Sequence, residues 1–228
     1  MRSTASSPRR PELPAQLRPA AIESLQHDAD IAEVELAGAS LQSQSARGVT
    51  FQDSILAGVV LAGSRLEHLR ITDAVLRGCD LANVHARGAA FKGVLLEDDR
   101  LTGIALAQST LTDVAFRGCR IELASFAGSR LERVSFEDCQ LAHTDFLEAK
   151  LDAVRFEGCD LTEADIRGAR LKRCELERST LSGLRGVESL RGAAMAWGDI
   201  IEMAGVWAAA LGIEVLDPEL PRDPKSEV

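Results

Sequence analysis

The chain has 228 residues, a formal net charge of −9 and 27% charged residues. This length suffices for one large domain with a buried core, and the acidic balance argues against a protein that binds nucleic acid through a basic surface. A membrane-spanning helix is excluded because polar residues interrupt every apolar run. Aromatic residues are scarce, with no Tyr and two Trp, which is unusual for an enzyme of this size.

The first 17 residues are rich in Ser, Pro and Arg and are expected to form a disordered tail. Arg9 and Arg10 match the start of a twin-arginine export signal, but Pro11 and Pro14 fall where that signal requires an apolar stretch. We therefore expect a cytoplasmic protein. Residues 18–30 are expected to cap the following domain, with one or two helical turns around Leu25.

A large apolar side chain returns at every fifth position from Ile31 to Leu181, and only Ala46 and Ala86 depart from this rule. All seven Phe fall in this central column, and all five Cys fall in a second column of small residues, two positions earlier. A period of five fits neither a helix nor simple strand alternation. The pattern therefore indicates an internal repeat over residues 31–183.

The repeat predicts a coil of short strands. The central residue and the small residue two positions before it share one face of an extended segment, so both point inward. All thirteen glycines from Gly38 to Gly183 stand two residues after a central position, as expected for corners that need a positive φ. Strands joined by uniform corners wind around an apolar interior, although the period alone leaves the number of sides open.

The cysteine spacing suggests four sides, because Cys119, Cys139 and Cys159 recur every twenty residues. Stacked one strand spacing apart, roughly 4.8 Å, they could in principle form a disulfide. Free thiols are expected instead, since the chain has no CxxC motif and a cytoplasmic compartment is reducing.

The five-residue repeat ends after Leu181, and residues 184–216 are predicted to form a C-terminal cap. Its main element is a helix with Asp199 as N-cap and Gly212 as stop. This helix is almost wholly apolar and must be buried on more than one side. One side can cover the open end of the coil, and the other needs a partner. Residues 217–228 are expected to be a disordered acidic tail.

The triplets Cys79-Asp80-Leu81, Cys159-Asp160-Leu161 and Ala164-Asp165-Ile166 resemble the motif of the pentapeptide-repeat family: a small residue, Asp or Asn, then Leu or Phe, followed by two variable positions. The resemblance implies an all-β solenoid, a right-handed, four-sided β-helix with twenty residues per coil. Thirty-one central positions then make about eight coils. In this chain Arg, Ser or Thr often replaces Asp or Asn, at a site that points outward.

The resemblance also implies a head-to-head homodimer through the C-terminal helix. The residues expected at the dimer contact are Ile200, Met203, Val206, Trp207 and Leu211.

The sequence carries no nucleophile elbow, phosphate-binding glycine loop or metalloprotease motif. The four His, including His68 and His85 on one predicted side, lack a repeated acidic or Cys partner. We therefore expect no catalytic residue, no metal, no cofactor and no enzymatic activity.

Surface charge is the remaining signal. With twenty residues per coil, acids gather on the side around Phe116, Phe136 and Phe156, whereas the side around Leu131 and Leu151 is basic in its later coils. An ordinary soluble surface of mixed charge is the alternative interpretation. The candidate partner-binding residues are Glu97, Asp98, Glu137, Asp138, Glu157, Glu175 and Glu177.

Well-characterised members of the family bind type II DNA topoisomerases, notably DNA gyrase, by imitating the width and negative charge of duplex DNA, and some confer resistance to quinolones or natural-product gyrase poisons. The resemblance therefore implies a DNA-mimicking, non-catalytic rod. The alternative hypothesis is a structural or scaffold protein that binds another protein partner.

Overall fold

The computed structural model describes residues 6–214, which form a parallel β-solenoid of about nine turns. The strands are Arg18–Ala20 (β1), Asp30–Ala32 (β2), Val34–Ala37 (β3), Ser45–Arg47 (β4), Thr50–Gln52 (β5), Ile55–Ala57 (β6), Arg65–Glu67 (β7), Arg70–Arg77 (β8), Ala90–Glu97 (β9), Thr110–Arg117 (β10), Arg130–Glu137 (β11), Lys150–Glu157 (β12), Arg170–Lys172 (β13), Glu175–Glu177 (β14) and Ala194–Met195 (β15).

Neighbouring strands within the coil pair in parallel at an offset of twenty residues, as Thr110 does with Arg130. Four central residues therefore occur in each turn, and the four-sided solenoid expected from the sequence is confirmed. We name the sides after one central residue each: the Leu131, Phe136, Leu141 and Phe146 sides. The Leu131 and Phe136 sides merge into continuous eight-residue strands from β8 to β12.

The central residues fill the interior, as predicted, and the phenylalanines form two ladders within it. On the Phe136 side, rings of Phe116, Phe136 and Phe156 stack with centroids 4.8 and 5.0 Å apart. Phe126 and Phe146 stack at 5.1 Å on the opposite side. The two ladders meet edge to face at 6.0–6.4 Å. The stacking distances of 4.8–5.1 Å within each ladder match the distance between hydrogen-bonded strands. Identical residues in successive turns therefore pack directly on each other.

The column of small residues also points inward and ties successive turns together. The Ser129 hydroxyl donates to the carbonyl of Leu106 at 2.7 Å and accepts the N–H of Ser109 at 3.0 Å. The thiol of Cys139 likewise donates to the carbonyl of Phe116 at 3.5 Å. All five cysteines are buried and free, as expected from the sequence.

Corners occur two residues after each central position, and the predicted glycines there have positive φ, as at Gly118 (φ 60°). Other residues adopt the same conformation at equivalent positions, including Asp98 (φ 55°) and Arg133 (φ 52°). Glycine therefore relieves strain at many corners, but the winding of the chain imposes the conformation on every residue type there.

The amino-terminal cap differs from expectation. Residues Arg18–Ala20 form β1, which pairs with β3, and Leu25 is buried. The predicted helical turns are wrong at this point, because Pro19 disfavours a helical conformation for Arg18. Residues 6–17 also differ from a disordered tail: they lie along the outside of the coil, where the Arg9 N–H donates to Asp113 at 3.2 Å. Residues 1–5 lie outside the described residues.

The carboxyl-terminal cap follows the last full turn. It contains a 3-10 helix, Val187–Leu190, then β15 and two short helices, Trp197–Glu202 (α1) and Ala204–Ala210 (α2). Strands β1 and β15 extend the sheet beyond the repeat at each end, which accounts for about nine turns rather than eight.

The expected N-cap is wrong, because α1 follows Ala196 and the Asp199 carboxylate instead accepts the N–H of Arg178 at 2.9 Å. The predicted stop is correct. Gly212 has φ 68°, and the N–H of Ile213 donates to the carbonyl of Ala208 at 2.8 Å, which closes the helix as a Schellman motif. The predicted acidic tail, 217–228, lies outside the described residues. Within residues 6–214, neither helix is long and apolar enough to cross a membrane.

Candidate partner-binding surface

The Phe136 side presents one outward residue per turn directly after each central residue, because side chains alternate along a strand. Strand pairing aligns these residues into a single column. From β8 to β14 the column reads Arg77, Glu97, Arg117, Glu137, Glu157 and Glu177.

Arginines neutralise the first part of this column. The Arg77 Nε donates to Glu97 at 2.8 Å, and the Arg117 Nε donates to Glu137 at 3.0 Å. Arg117 also lies 3.7 Å from the other carboxylate oxygen of Glu97, so it bridges two turns. These side chains are 27–57% exposed, so each pair contributes at most about 1 kcal/mol to stability. Their main effect is to reduce the negative potential of the surface.

The later acids are paired as well. Arg178 donates to Glu157, and this hydrogen bond lowers the pKa of that carboxyl group. Arg155 lies 2.9 Å from Glu157 and 3.0 Å from Glu177. Glu175, the remaining acid of the predicted set in β14, lies opposite Arg155 in the strand register. The acids expected to form one negative face are therefore interleaved with arginines.

Four of the predicted residues surround one shallow groove: Glu97, Asp98, Glu137 and Asp138, together with Arg77 and Arg117. Asp98 and Asp138 occupy corners two turns apart, and Gly118 stands at the corner between them. Neither aspartate forms a salt bridge within residues 6–214. Both carboxylates therefore remain available to a partner.

The basic side is also neutralised. Arg133 donates to both oxygens of Asp113 at 2.8 and 2.9 Å, and these bonds lower the pKa of that carboxyl group. Lys172 and Arg173 both contact Asp152. The two sides are therefore less polarised than the sequence suggests, because residues twenty apart with opposite charge become neighbours.

Sequence reasoning missed Asp99, which occupies the inward column between Cys79 and Cys119. Asp99 is 2% exposed; its Oδ1 accepts the Cys79 N–H at 2.6 Å, whereas its Oδ2 is buried without a hydrogen-bond partner. Burial raises the pKa of Asp99 to about 7, and burial together with the charge of Asp99 raises the pKa of Cys79 to about 11. Asp99 could have been recognised from the sequence, because it is an acidic residue in the inward column of small residues, two positions before the central residue Leu101.

The C-terminal helices divide the predicted dimer residues into two groups. Met203 is 5% exposed, and Val206 and Trp207 pack against the end of the core. Leu211 is 75% exposed, and Ile200 is half-buried. Three of the five residues thus contact the chain's own coil.

The exposed apolar side chains of this cap are Trp197 (75%), Ile201 (57%), Leu211 (75%) and Ile213 (56%). Of these, only Leu211 was predicted from the sequence to lie at the dimer contact.

Within the described residues, no group of three or more His, Cys, Asp or Glu is placed to hold a metal ion. The cysteine column does not form one because its thiols donate to backbone carbonyls inside the coil.

A family model described as "Pentapeptide repeat region" matches residues 69–146 and 109–185, which together span half of the chain. No curated protein matches the chain significantly. Similar solved structures include HetL, a pentapeptide repeat protein involved in heterocyst differentiation regulation from the cyanobacterium Nostoc sp. strain PCC 7120. It is 21% identical, with 76% of this chain and 91% of HetL covered and a TM-score of 0.33.

Full-length QnrB1, a plasmid-mediated fluoroquinolone resistance protein, is 16% identical; the match covers 86% of this chain and 100% of QnrB1 with a TM-score of 0.43. Rfr23 from the cyanobacterium Cyanothece 51142 is 17% identical, with 60% and 91% covered and a TM-score of 0.30. The twenty-residue coil and the family match agree, and the chain belongs to the pentapeptide-repeat family.

Proposed function

We propose that this chain is a non-catalytic protein-binding rod that docks on a type II topoisomerase such as DNA gyrase. Its Phe136 side would occupy part of the surface that binds duplex DNA, and thereby modulate the enzyme or protect it from quinolone-like or natural-product poisons. The observation that carries the proposal is the groove in which Asp98 and Asp138 stand two turns apart without a salt bridge.

Charge density limits how far the mimicry extends. Duplex DNA carries one negative charge per ~1.7 Å of axis, so a duplex as long as nine turns, about 43 Å, carries roughly 25 charges. The whole chain has a net charge of −9, and arginines neutralise most of the Phe136 column. The contact we propose is therefore local, centred on Glu97, Asp98, Glu137 and Asp138, and the rest of the side contributes its shape.

A matched pair of variants tests this proposal. Asp98→Arg/Asp138→Arg reverses both unpaired carboxylates, and Arg178 shows that arginine is tolerated at a corner of this side. The control, Glu148→Arg/Glu163→Arg, makes the same charge change at corners of the other sides with the same backbone conformation (φ 56° and 54°).

Binding to purified gyrase is measured by pull-down and by a supercoiling assay at two salt concentrations. We expect micromolar binding by the wild type, at least about tenfold weaker binding by the Asp98/Asp138 variant, and near wild-type binding by the control. Absence of gyrase binding by the wild type at micromolar protein, or equal losses in the two variants, would contradict the proposal.

A scaffold function is the second candidate. It is favoured by the pairing of arginines with glutamates along the outward column of the Phe136 side. Arg77, Arg117 and Arg155 pair with neighbouring acids at 2.8–3.0 Å. Such a surface of mixed charge is more complementary to a protein partner that carries both positive and negative groups than to the basic surface of an enzyme that binds DNA. A wild-type chain that does not bind gyrase would leave the scaffold function as the supported one.

We further propose a homodimer through the C-terminal cap. The cap leaves Trp197, Ile201, Leu211 and Ile213 more than half exposed, and large apolar side chains exposed within one small cap suit a protein interface. Met203, Val206 and Trp207 instead pack against the coil, so the proposed contact shifts from them to the exposed side chains.

A further inference from the structure

The amino-terminal segment Ser7–Leu13, which we call the arm, lies in an extended path on the outside of the coil. The Arg9 N–H donates to Asp113 Oδ1 at 3.2 Å, and the Glu12 N–H donates to Asp73 Oδ1 at 3.2 Å. Asp113 and Asp73 occupy equivalent corners two turns apart. The arm therefore crosses successive turns and runs back towards the amino-terminal end, where it joins β1.

The coil provides a slot for the Arg9 side chain. Its guanidinium lies 3.0 Å from Asp73 Oδ1, and Gly93 occupies the corner between Asp73 and Asp113. A Cβ at Gly93 would come within 3.3 Å of the Arg9 guanidinium and 2.6 Å of Asp73. The missing side chain thus leaves room for an arginine between two carboxylates.

An outward apolar stripe lies beside the slot. Val75, Leu95, Ala115 and Ser135 follow one another in register on the strands β8 to β11, and all four line a groove together with residues of the arm. Val75 is only 4% exposed and Ser135 only 3%. Leu95 and Ala115 are half-buried, as is Ile55, which stands one turn earlier in the same outward column and does not line the groove. The groove thus combines apolar contact with two carboxylates.

The polar contacts that hold the arm on the coil are weak. The Arg9 side chain is 42% exposed and the Glu12 side chain 74% exposed, and ion pairs at this exposure add little binding energy. The arm and the coil also come from the same chain, so a high effective concentration suffices to keep it docked. A free segment of the same chemistry that makes additional contacts can displace it.

We propose that this groove is a peptide-docking surface and that the arm is its displaceable internal ligand. The external ligand that it fits is an extended segment of a partner protein with an arginine flanked by prolines, as in Pro8-Arg9-Arg10-Pro11. Asp73 selects the arginine, Asp113 accepts a main-chain N–H, the stripe from Val75 to Ser135 contacts the prolines, and the extended form of such segments limits the entropy lost on binding. Arg117 and Glu137 line both this groove and the proposed topoisomerase contact, but the two proposals fail separately because the peptide assay contains no gyrase.

The test uses full-length chains and a fluorescein-labelled peptide with the sequence of Ser7–Leu13. Arg9→Glu places a carboxylate beside Asp73 and Asp113 and releases the arm, while the coil itself is unchanged. By fluorescence anisotropy we expect the peptide to bind R9E at least about tenfold more tightly than the wild type, because the internal competitor is gone. A peptide in which the first arginine is glutamate should not bind either chain.

Matched second substitutions identify the groove. Adding Asp73→Asn to R9E should abolish peptide binding, whereas adding Asp53→Asn should leave it unchanged. Asp53 occupies the equivalent corner one turn earlier (φ 49°), and Asn83 shows that asparagine adopts this conformation (φ 55°). Circular dichroism confirms that all variants remain folded.

The proposal is overturned if R9E does not bind the peptide at millimolar concentration, if the wild type binds it as well as R9E, or if the two second substitutions act alike. A wild-type dimer in light scattering that Asp73→Asn dissociates would also overturn it, since the natural occupant would then be the arm of a second copy.

Discussion

Phe136 is the residue whose removal most directly tests how the coil is stabilised. It is fully buried, stacks on Phe116 and Phe156, and meets Phe126 and Phe146 edge to face. Loss of its burial costs about 1.5–3 kcal/mol, and the cavity left behind raises the total for Phe136→Ala to roughly 3–5 kcal/mol. We expect a value near the upper limit, because the neighbouring rings are held by their own stacks and cannot collapse into the space.

Two control variants separate the contribution of burial from that of the ring contacts. Phe136→Leu should cost less than about 1.5 kcal/mol, since Leu96 and Leu176 already occupy the same column. Phe91 is equally buried at 1% exposure but makes no ring contact among the described residues. Phe91→Ala should therefore cost about 1 kcal/mol less than Phe136→Ala.

The free energies of unfolding are measured by urea titration, followed by circular dichroism and by tryptophan fluorescence. A stability unchanged by Phe136→Ala would refute the inward assignment of the central column. Equal losses for Phe91→Ala and Phe136→Ala would refute the stabilising role of the ladders and leave burial alone as the cause.

Two further predictions concern Asp99 and the C-terminal cap. Burial raises the pKa of Asp99 in the folded state to about 7, well above the value of ~3.9 in an unfolded chain, so the folded state binds more protons between these values. The free energy of unfolding should therefore fall as the pH rises from about 4 through 7, by roughly 4 kcal/mol in total. Asp99→Ser, which restores the hydroxyl found at Ser129, should remove this pH dependence and raise stability at pH 8 in urea titrations; an unchanged pH profile would contradict the assignment. Ile201→Glu/Leu211→Glu should halve the mass measured by light scattering while leaving the melting temperature within a few degrees, because both side chains are exposed. A wild-type monomer, or a mass that the double variant leaves unchanged, would remove the proposed dimer contact.

The repeat made most of the coil predictable from the sequence. A large residue at every fifth position fixed which side chains point inward, since Phe136 and Leu131 can satisfy their burial only on the inner face of each short strand. The cysteine spacing of twenty then indicated four sides, and the structure confirms the register that this implies. These features follow from local spacing, so no long-range information was needed.

The ends of the coil were less predictable because their structure depends on what they pack against. The apolar run around Met203 predicted a helix, but contact with the core and the bond from Arg178 to Asp199 set where it begins and divides. The structure of the arm was unpredictable for the same reason, because it depends on contacts with the coil. Its Ser, Pro and Arg content predicted a disordered tail, whereas the carboxylates of Asp73 and Asp113 that hold it come from the coil.

The inner wall of this protein follows from the repeat alone, because a strict period places every central residue in one environment. The surface depends on how the chain winds, because charges twenty residues apart become neighbours after winding. That is why the side expected to be acidic is a column of paired arginines and glutamates, at whose corners Asp98 and Asp138 form no salt bridge with any described residue.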